Sequence, residues 1–136
     1  MFKMGNLVAV LDTSALLAFI KGEPGSKLIE KIIDKSIMSI INLTETIIVL
    51  GRNNPARLGY YQMAVDELMP HKYETDAKLM FLASEISVKY RERHNLSLGD
   101  CYCLALGKHL ELPIYTGDNP WQGLEKKIEV EIKFIR

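Results

Sequence analysis

Four acidic residues stand where the chain passes from one element to the next: Asp12, Glu45, Asp100 and Asp118. Asp12 ends the apolar run V-A-V-L, Glu45 follows a second apolar run, Asp100 comes three residues after Ser97, and Asp118 closes P-I-Y-T-G. Two carboxylates about 5 Å apart repel by roughly 3 kcal/mol at an effective dielectric of 20. Four gathered together must therefore take up protons or bind cations. All-oxygen donors suit Mg²⁺ or Mn²⁺, which keep waters and bind phosphate oxygens as well. Such a cluster can hold one or two ions, activate a water and neutralise the charge that develops as a phosphodiester is cleaved.

Each acid also has a plain structural reading. Asp12, with Thr13 and Ser14 behind it, is an ordinary helix cap. Glu45 is favourable near a helix N-terminus. Ser97 and Asp100 have capping-box spacing, and Asp118 before Asn119 and Pro120 is good turn chemistry. Taken singly these readings suffice. They do not explain why all four fall on one rim.

The rim follows from the elements. Residues 8–11 form an apolar run without alternation, the pattern of a strand buried on both faces of a parallel sheet. Helices are predicted over 14–21 and 25–35, then a second strand over 36–41 and a helix to about 52 capped by Asn42 or Thr44. Pro55 opens a helix to about 68, residues 71–74 make a short third strand, and Thr75 and Asp76 cap the longest helix, 77–94. Ser97 caps a helix to about 110; residues 112–116 are a fourth strand, 117–120 a turn, and 130–135 a final strand. Strands separated by helices argue a mostly parallel α/β sheet with helices on both faces. In such sheets the strand ends and following helix starts share one edge, where ligands bind.

At 136 residues the chain reads as one domain. Seventeen basic and seventeen acidic residues cancel, so the whole is no electrostatic magnet for nucleic acid, and a polyanion site must be local or borrow cations. Cys101 and Cys103 are the only cysteines; on a helix they point to different faces, which argues against a disulfide or zinc pair and for a reducing cytoplasm. The N-terminal apolar run is too short for a membrane span and lacks a signal-peptide cleavage pattern.

In order and spacing, V-A-V-L-D-T-S-A, M-S-I-I-N-L-T-E-T, L-S-L-G-D-C-Y-C-L-A and L-P-I-Y-T-G-D resemble the motifs of the PIN-domain family, within it the VapC-type toxin ribonucleases. The resemblance covers essentially the whole chain. It implies a single PIN-like domain with a central, mostly parallel sheet of four to five strands. It also implies a Mg²⁺- or Mn²⁺-dependent endoribonuclease acting as a homodimer and inhibited by a small antitoxin. Carried over by motif, Asp12, Glu45, Asp100 and Asp118 form the acidic site. Asp12 and Asp100 are the firmest ligands, and Glu45 and Asp118 act through water. Ser14 orders the metal or its water, and Thr116 is the hydroxyl before the last acid. Where many relatives carry a further acid, Asn119, Pro120 and Trp121 follow Asp118, which puts a second metal in doubt.

Other residues have two readings. Trp121 is core packing rather than a base-stacking platform, and Asn42 is a polar rim residue or a helix cap. His71, His94 and His109 share no ligand spacing. Arg52, Arg57, Lys89, Arg91 and Arg93 either flank an RNA groove or form a solvated helix face. Tyr60, Tyr61, Met63 and Met69 are a partner patch or ordinary core. Two rivals stand beside the nuclease: an aspartyl phosphatase of the haloacid-dehalogenase pattern, which expects an Asp where Ser14 stands, and a non-catalytic module of the same fold that binds RNA or protein.

Overall fold

The computed structural model of the chain describes residues 4–117 and 119–136. At its centre lies β1 (Ala9–Leu11), every residue of which is buried. Its neighbours are β2 (Ser36–Ser39) on one side and β4 (Ile114–Thr116) on the other; β3 (Lys72–Tyr73) and β5 (Ile132–Phe134) are the edges. The order is β3-β2-β1-β4-β5 and every adjacent pair is parallel. Val10 pairs with Ile37 on one flank and Ile114 on the other.

Successive strand residues face opposite sides, and two cores result. Val10 and Ile37 join a cluster with Leu79, Ile86, Leu104 and Leu124, whereas Leu11 and Met38 join one with Leu16, Ile29, Leu43 and Val65. The first cluster is covered by α5 (Ala77–His94), α6 (Leu98–Leu110) and α7 (Leu124–Ile128). The second is covered by α1 (Thr13–Lys21), α2 (Ser26–Ile32), α3 (Ile40–Asn53) and α4 (Leu58–Leu68). The chain moves outward from β1 to β3 and then returns to β4 and β5. That reversal puts the two sets of connecting helices on opposite faces, as right-handed crossovers require.

Several boundaries differ from the sequence reading. The helix expected over 25–35 is α2 followed by a 3-10 turn, Ile33–Lys35, and α4 is preceded by a 3-10 turn, Pro55–Arg57. The cap of α3 is Ser39, whose hydroxyl accepts from Asn42 N–H at 3.1 Å, so neither Asn42 nor Thr44 caps it. The helix therefore starts earlier than expected and Glu45 falls in its second turn. The short α7 was not anticipated. Its crossover makes β5 a parallel neighbour of β4. No helix among the described residues is long and apolar enough to cross a membrane.

Both cysteines lie on α6, which is packed against the sheet and α5, and both are buried. Burial pushes the Cys101 thiol up and the charge of Asp100 adds to it, while a hydrogen bond from Ser87 and the charge of Arg91 oppose it only in part. We therefore expect neither thiol to react with iodoacetamide in the folded protein and both to react once it is unfolded, read by intact mass. Alkylation of the folded protein at the rate of a free thiol would contradict this packing.

Candidate functional site

The crevice outside the carboxyl ends of β1 and β4, where the strand order reverses, is the expected ligand position of an open parallel sheet. Asp12 occupies it, 2 % exposed. Its backbone is extended (φ −91°, ψ 174°) and its side chain caps α1, Oδ1 accepting from Ala15 N–H at 2.9 Å. Ser14 Oγ donates to the same oxygen at 2.6 Å. Thr116, the last residue of β4, donates to Oδ2 at 2.7 Å. Gly117 N–H then donates to Ser14 Oγ at 2.8 Å. One carboxylate thus joins the end of β1, the first turn of α1 and the end of β4. The capping role is real, and it accounts for only the Ala15 bond.

A second network stands on the β2 side and is built on Asn42, also 2 % exposed. Asn42 Oδ1 accepts from Ser39 Oγ at 2.6 Å, and Nδ2 donates to Gly99 O at 3.0 Å and to Glu45 Oε1 at 3.1 Å. Thr13 Oγ1 shares its proton between Glu45 Oε1 (3.0 Å) and Asn42 O (3.2 Å). Asn42 is therefore the polar rim residue of the two readings, and it bolts the β2–α3 corner to the start of α6. Glu45, half-buried, lies so close against Gly99 that a Cβ there would collide with its carboxylate. Thr13 and Gly99 were missed in the sequence; a glycine inside the first turn of a helix, beside Asp100, was the available signal.

Asp100 sits at the start of α6, where the capping box forms in both directions: Asp100 N–H donates to Ser97 Oγ at 3.1 Å and Ser97 N–H to Asp100 Oδ2 at 2.9 Å. The structure thus links Asp12 to Glu45 through Thr13, and Glu45 to the backbone beside Asp100. Asp118 lies outside the described residues. Among the described residues no three His, Cys, Asp or Glu side chains group closely enough to cage an ion. The oxygen-only donors of this rim fit Mg²⁺ or Mn²⁺, which take one or two carboxylates and fill the remaining positions with waters and phosphate oxygens. Glu45 makes no ion pair among the described residues.

The remaining candidates divide. Trp121 is 1 % exposed and belongs to the core. His94 Nδ1 lies 3.0 Å from Pro120 O, and its Nε2 lies 3.4 Å from Lys127 Nζ. The ring fastens the 3-10 turn Asn119–Trp121 to α5. Met69 is wholly buried in the second core, because it closes α4 onto the sheet, and so leaves the partner patch; Met63 and Tyr60 stay on the surface.

The sequence matches the PIN domain family over residues 9–127. No curated protein sequence matches it. Among solved structures it is similar to the DNA-bound VapBC from Salmonella typhimurium, with a TM-score of 0.73 at 14% identity over 96% of this chain and 99% of that one. It is also similar to FitAcB from Neisseria gonorrhoeae, with a TM-score of 0.66 at 17% identity over 92% and 96%. A third is Mycobacterium tuberculosis VapC20, a "Sarcin-Ricin loop cleaving toxin", with a TM-score of 0.64 at 20% identity over 82% and 90%. At these identities the likeness is one of fold.

The Glu45–Gly99 contact gives a test. In Gly99→Ala the new methyl displaces a flexible carboxylate rather than backbone, at the expense of its bonds to Thr13 and Asn42. We expect a loss of about 1–2 kcal/mol in urea unfolding, and a smaller loss when Gly99→Ala is made in a Glu45→Ala background. Equal losses in both backgrounds would show that the clash lies elsewhere.

Proposed function

The chain belongs to the PIN-domain family, and on that footing we propose that it is a Mg²⁺- or Mn²⁺-dependent endoribonuclease, the toxin of a toxin–antitoxin pair. The observation that carries this reading is the Asp12 carboxylate at the β1/β4 crevice, oriented through both oxygens by Ser14 and Thr116. A ligand held by hydrogen bonds from neighbouring hydroxyls presents a defined direction to an ion. In this reading Asp12 and Asp100 would hold the ion directly, and Glu45 and Asp118 would hold it through water. The bound ion supplies a Lewis acid and a water of lowered pKa.

The protein's own groups do the positioning. Ser14 and Thr116 fix Asp12, and Thr13 and Asn42 hold Glu45 Oε1. The capping box holds Asp100 at the helix start. With a net charge of zero, the chain meets an RNA phosphate through the cation rather than through its overall field. The similar fold of a toxin-antitoxin complex from Klebsiella pneumoniae supports an antitoxin as partner, and VapC20, as a toxin that cleaves the sarcin-ricin loop, supports RNA as substrate. The exposed Tyr60 and Met63 on α4 are the surface proposed for a protein partner, a second copy included.

Purified protein should cleave mixed RNA with Mn²⁺ or Mg²⁺ and not with EDTA. Asp12→Asn and Asp100→Asn should each lose on the order of 100-fold or more, and Ser14→Ala about 10–100-fold, as expected for a residue that orients a ligand. Cleavage surviving both aspartate substitutions would identify a contaminant. Absence of both cleavage and Mn²⁺ binding would overturn the reading in favour of a non-catalytic PIN-fold module that binds RNA or protein.

A further inference from the structure

We propose that the groove between the C-terminal half of α5 and α7 carries the phosphate backbone of single-stranded RNA up to the acidic rim. The proposal rests on the ribonuclease reading and adds to it the path of the substrate. Lys89, Arg91 and Arg93 of α5 and Lys127 of α7 line one open cavity of about 830 Å³, with Glu92 its acidic lining residue. Lys89 and Lys127 also line the adjoining smaller cavity, where Lys108 joins them opposite Glu85. In a chain whose charges cancel overall, this is a local excess of cations.

None of those cations forms an ion pair among the described residues. The ion pairs among the described residues are Lys72–Asp66, Lys133–Glu131 and Arg136–Glu23, all away from this groove. Arg91 and Arg93 in the last turn of α5 have a plain explanation, since cations there complement the helix dipole. That explanation does not reach Lys89, and Lys89 and Arg93 form a like-charge i,i+4 pair, which disfavours the helix. Nor does it explain why Lys127 converges from a different helix. Its position is built: Tyr90 OH donates to Lys127 O at 3.3 Å, and Lys127 Nζ contacts His94 Nε2 at 3.4 Å.

The groove also leads to the right place. The chain leaves α5 at His94, turns through Asn95 in the left-handed region, and reaches the Ser97 cap and Asp100. Lys89 lies roughly 7.5 Å along the helix axis from His94, at 1.5 Å per residue. A strand whose scissile phosphate sits at the rim would therefore lay the next phosphates along these side chains. A basic groove that tracks the backbone is how single strands are held without base readout.

The test uses uncut RNA. In an Asp12→Asn background, a fluorescein-labelled single-stranded RNA is titrated at several KCl concentrations with constant Mg²⁺. Lys89→Gln/Arg93→Gln/Lys127→Gln is compared with Lys21→Gln/Lys27→Gln/Lys31→Gln on α1 and α2, which removes the same charge elsewhere. The groove variant should bind about tenfold more weakly or worse, and its log K against log[salt] slope should shrink by about 2, at roughly 0.7 per phosphate contact. The control should keep both. In active protein the groove variant should raise KM and leave kcat and Mn²⁺ affinity unchanged. If the triple variant does not fold, Lys89→Gln and Arg93→Gln, which break no ion pair among the described residues, should each lower the slope by about 0.7. Unchanged RNA binding and slope in the groove variants would overturn the proposal and leave the nuclease reading standing. A lowered slope in a protein that cleaves no RNA would uphold the groove and remove the nuclease reading. A larger loss on duplex DNA than on single-stranded RNA would assign the groove to DNA and overturn it as written.

Discussion

The Asp12 carboxylate holds three separated pieces of chain together. A charge this deeply buried is expensive unless it is hydrogen-bonded, and here the donors come from Ala15, Ser14 and Thr116. Ala15 starts α1, so the bond sets where the helix begins. Thr116 ends β4, so the bond sets how far β4 extends beside β1. The register Leu11–Tyr115 places the two strand ends side by side, and the carboxylate closes the gap between them. Loss of any one donor would leave a buried acceptor short, a cost of about 1–3 kcal/mol and more for a charged group.

The Asn42 network does the same on the other side of β1. It spans β2, α3 and the start of α6 with one amide whose oxygen and nitrogen are both used. The two networks meet at Thr13, the residue after Asp12. The rim is thus a continuous polar seam across the top of a sheet whose two faces are otherwise apolar.

Much of the fold was legible because local pattern and tertiary environment agree. The run V-A-V-L is unbroken because β1 is covered on both faces, and Asp76, Asn95 and Ser97 cap and stop helices by bonds to their immediate neighbours. The cap of α3 was misread because Ser39, Asn42 and Thr44 are all chemically suitable; the choice depends on where β2 stops, and β1 and β3 decide that. Five residues are too few for a helical period to declare itself, so α7 was hidden, although Leu124 and Ile128 are a turn apart and both buried. The sequence pointed to acids at element edges, of which the structure describes Asp12, Glu45 and Asp100, while Asp118 lies outside the described residues. The bonds that orient them were not legible, since Thr116 lies 104 residues from Asp12 and Gly99 lies 57 from Asn42.

Asp12 and Glu45 differ in what the rest of the molecule requires of them. Without the Asp12 carboxylate, the Ala15 N–H that starts α1 loses its buried acceptor. Without Glu45, Asn42 Nδ2 still has the Gly99 carbonyl and Thr13 Oγ1 still has the Asn42 carbonyl. An aspartate at the end of β1 would therefore persist in a descendant of this chain that had abandoned chemistry, for the sake of architecture alone. The glutamate would be free to drift. In related chains, an acid at the position of Glu45 is the more informative sign that the rim is still in use.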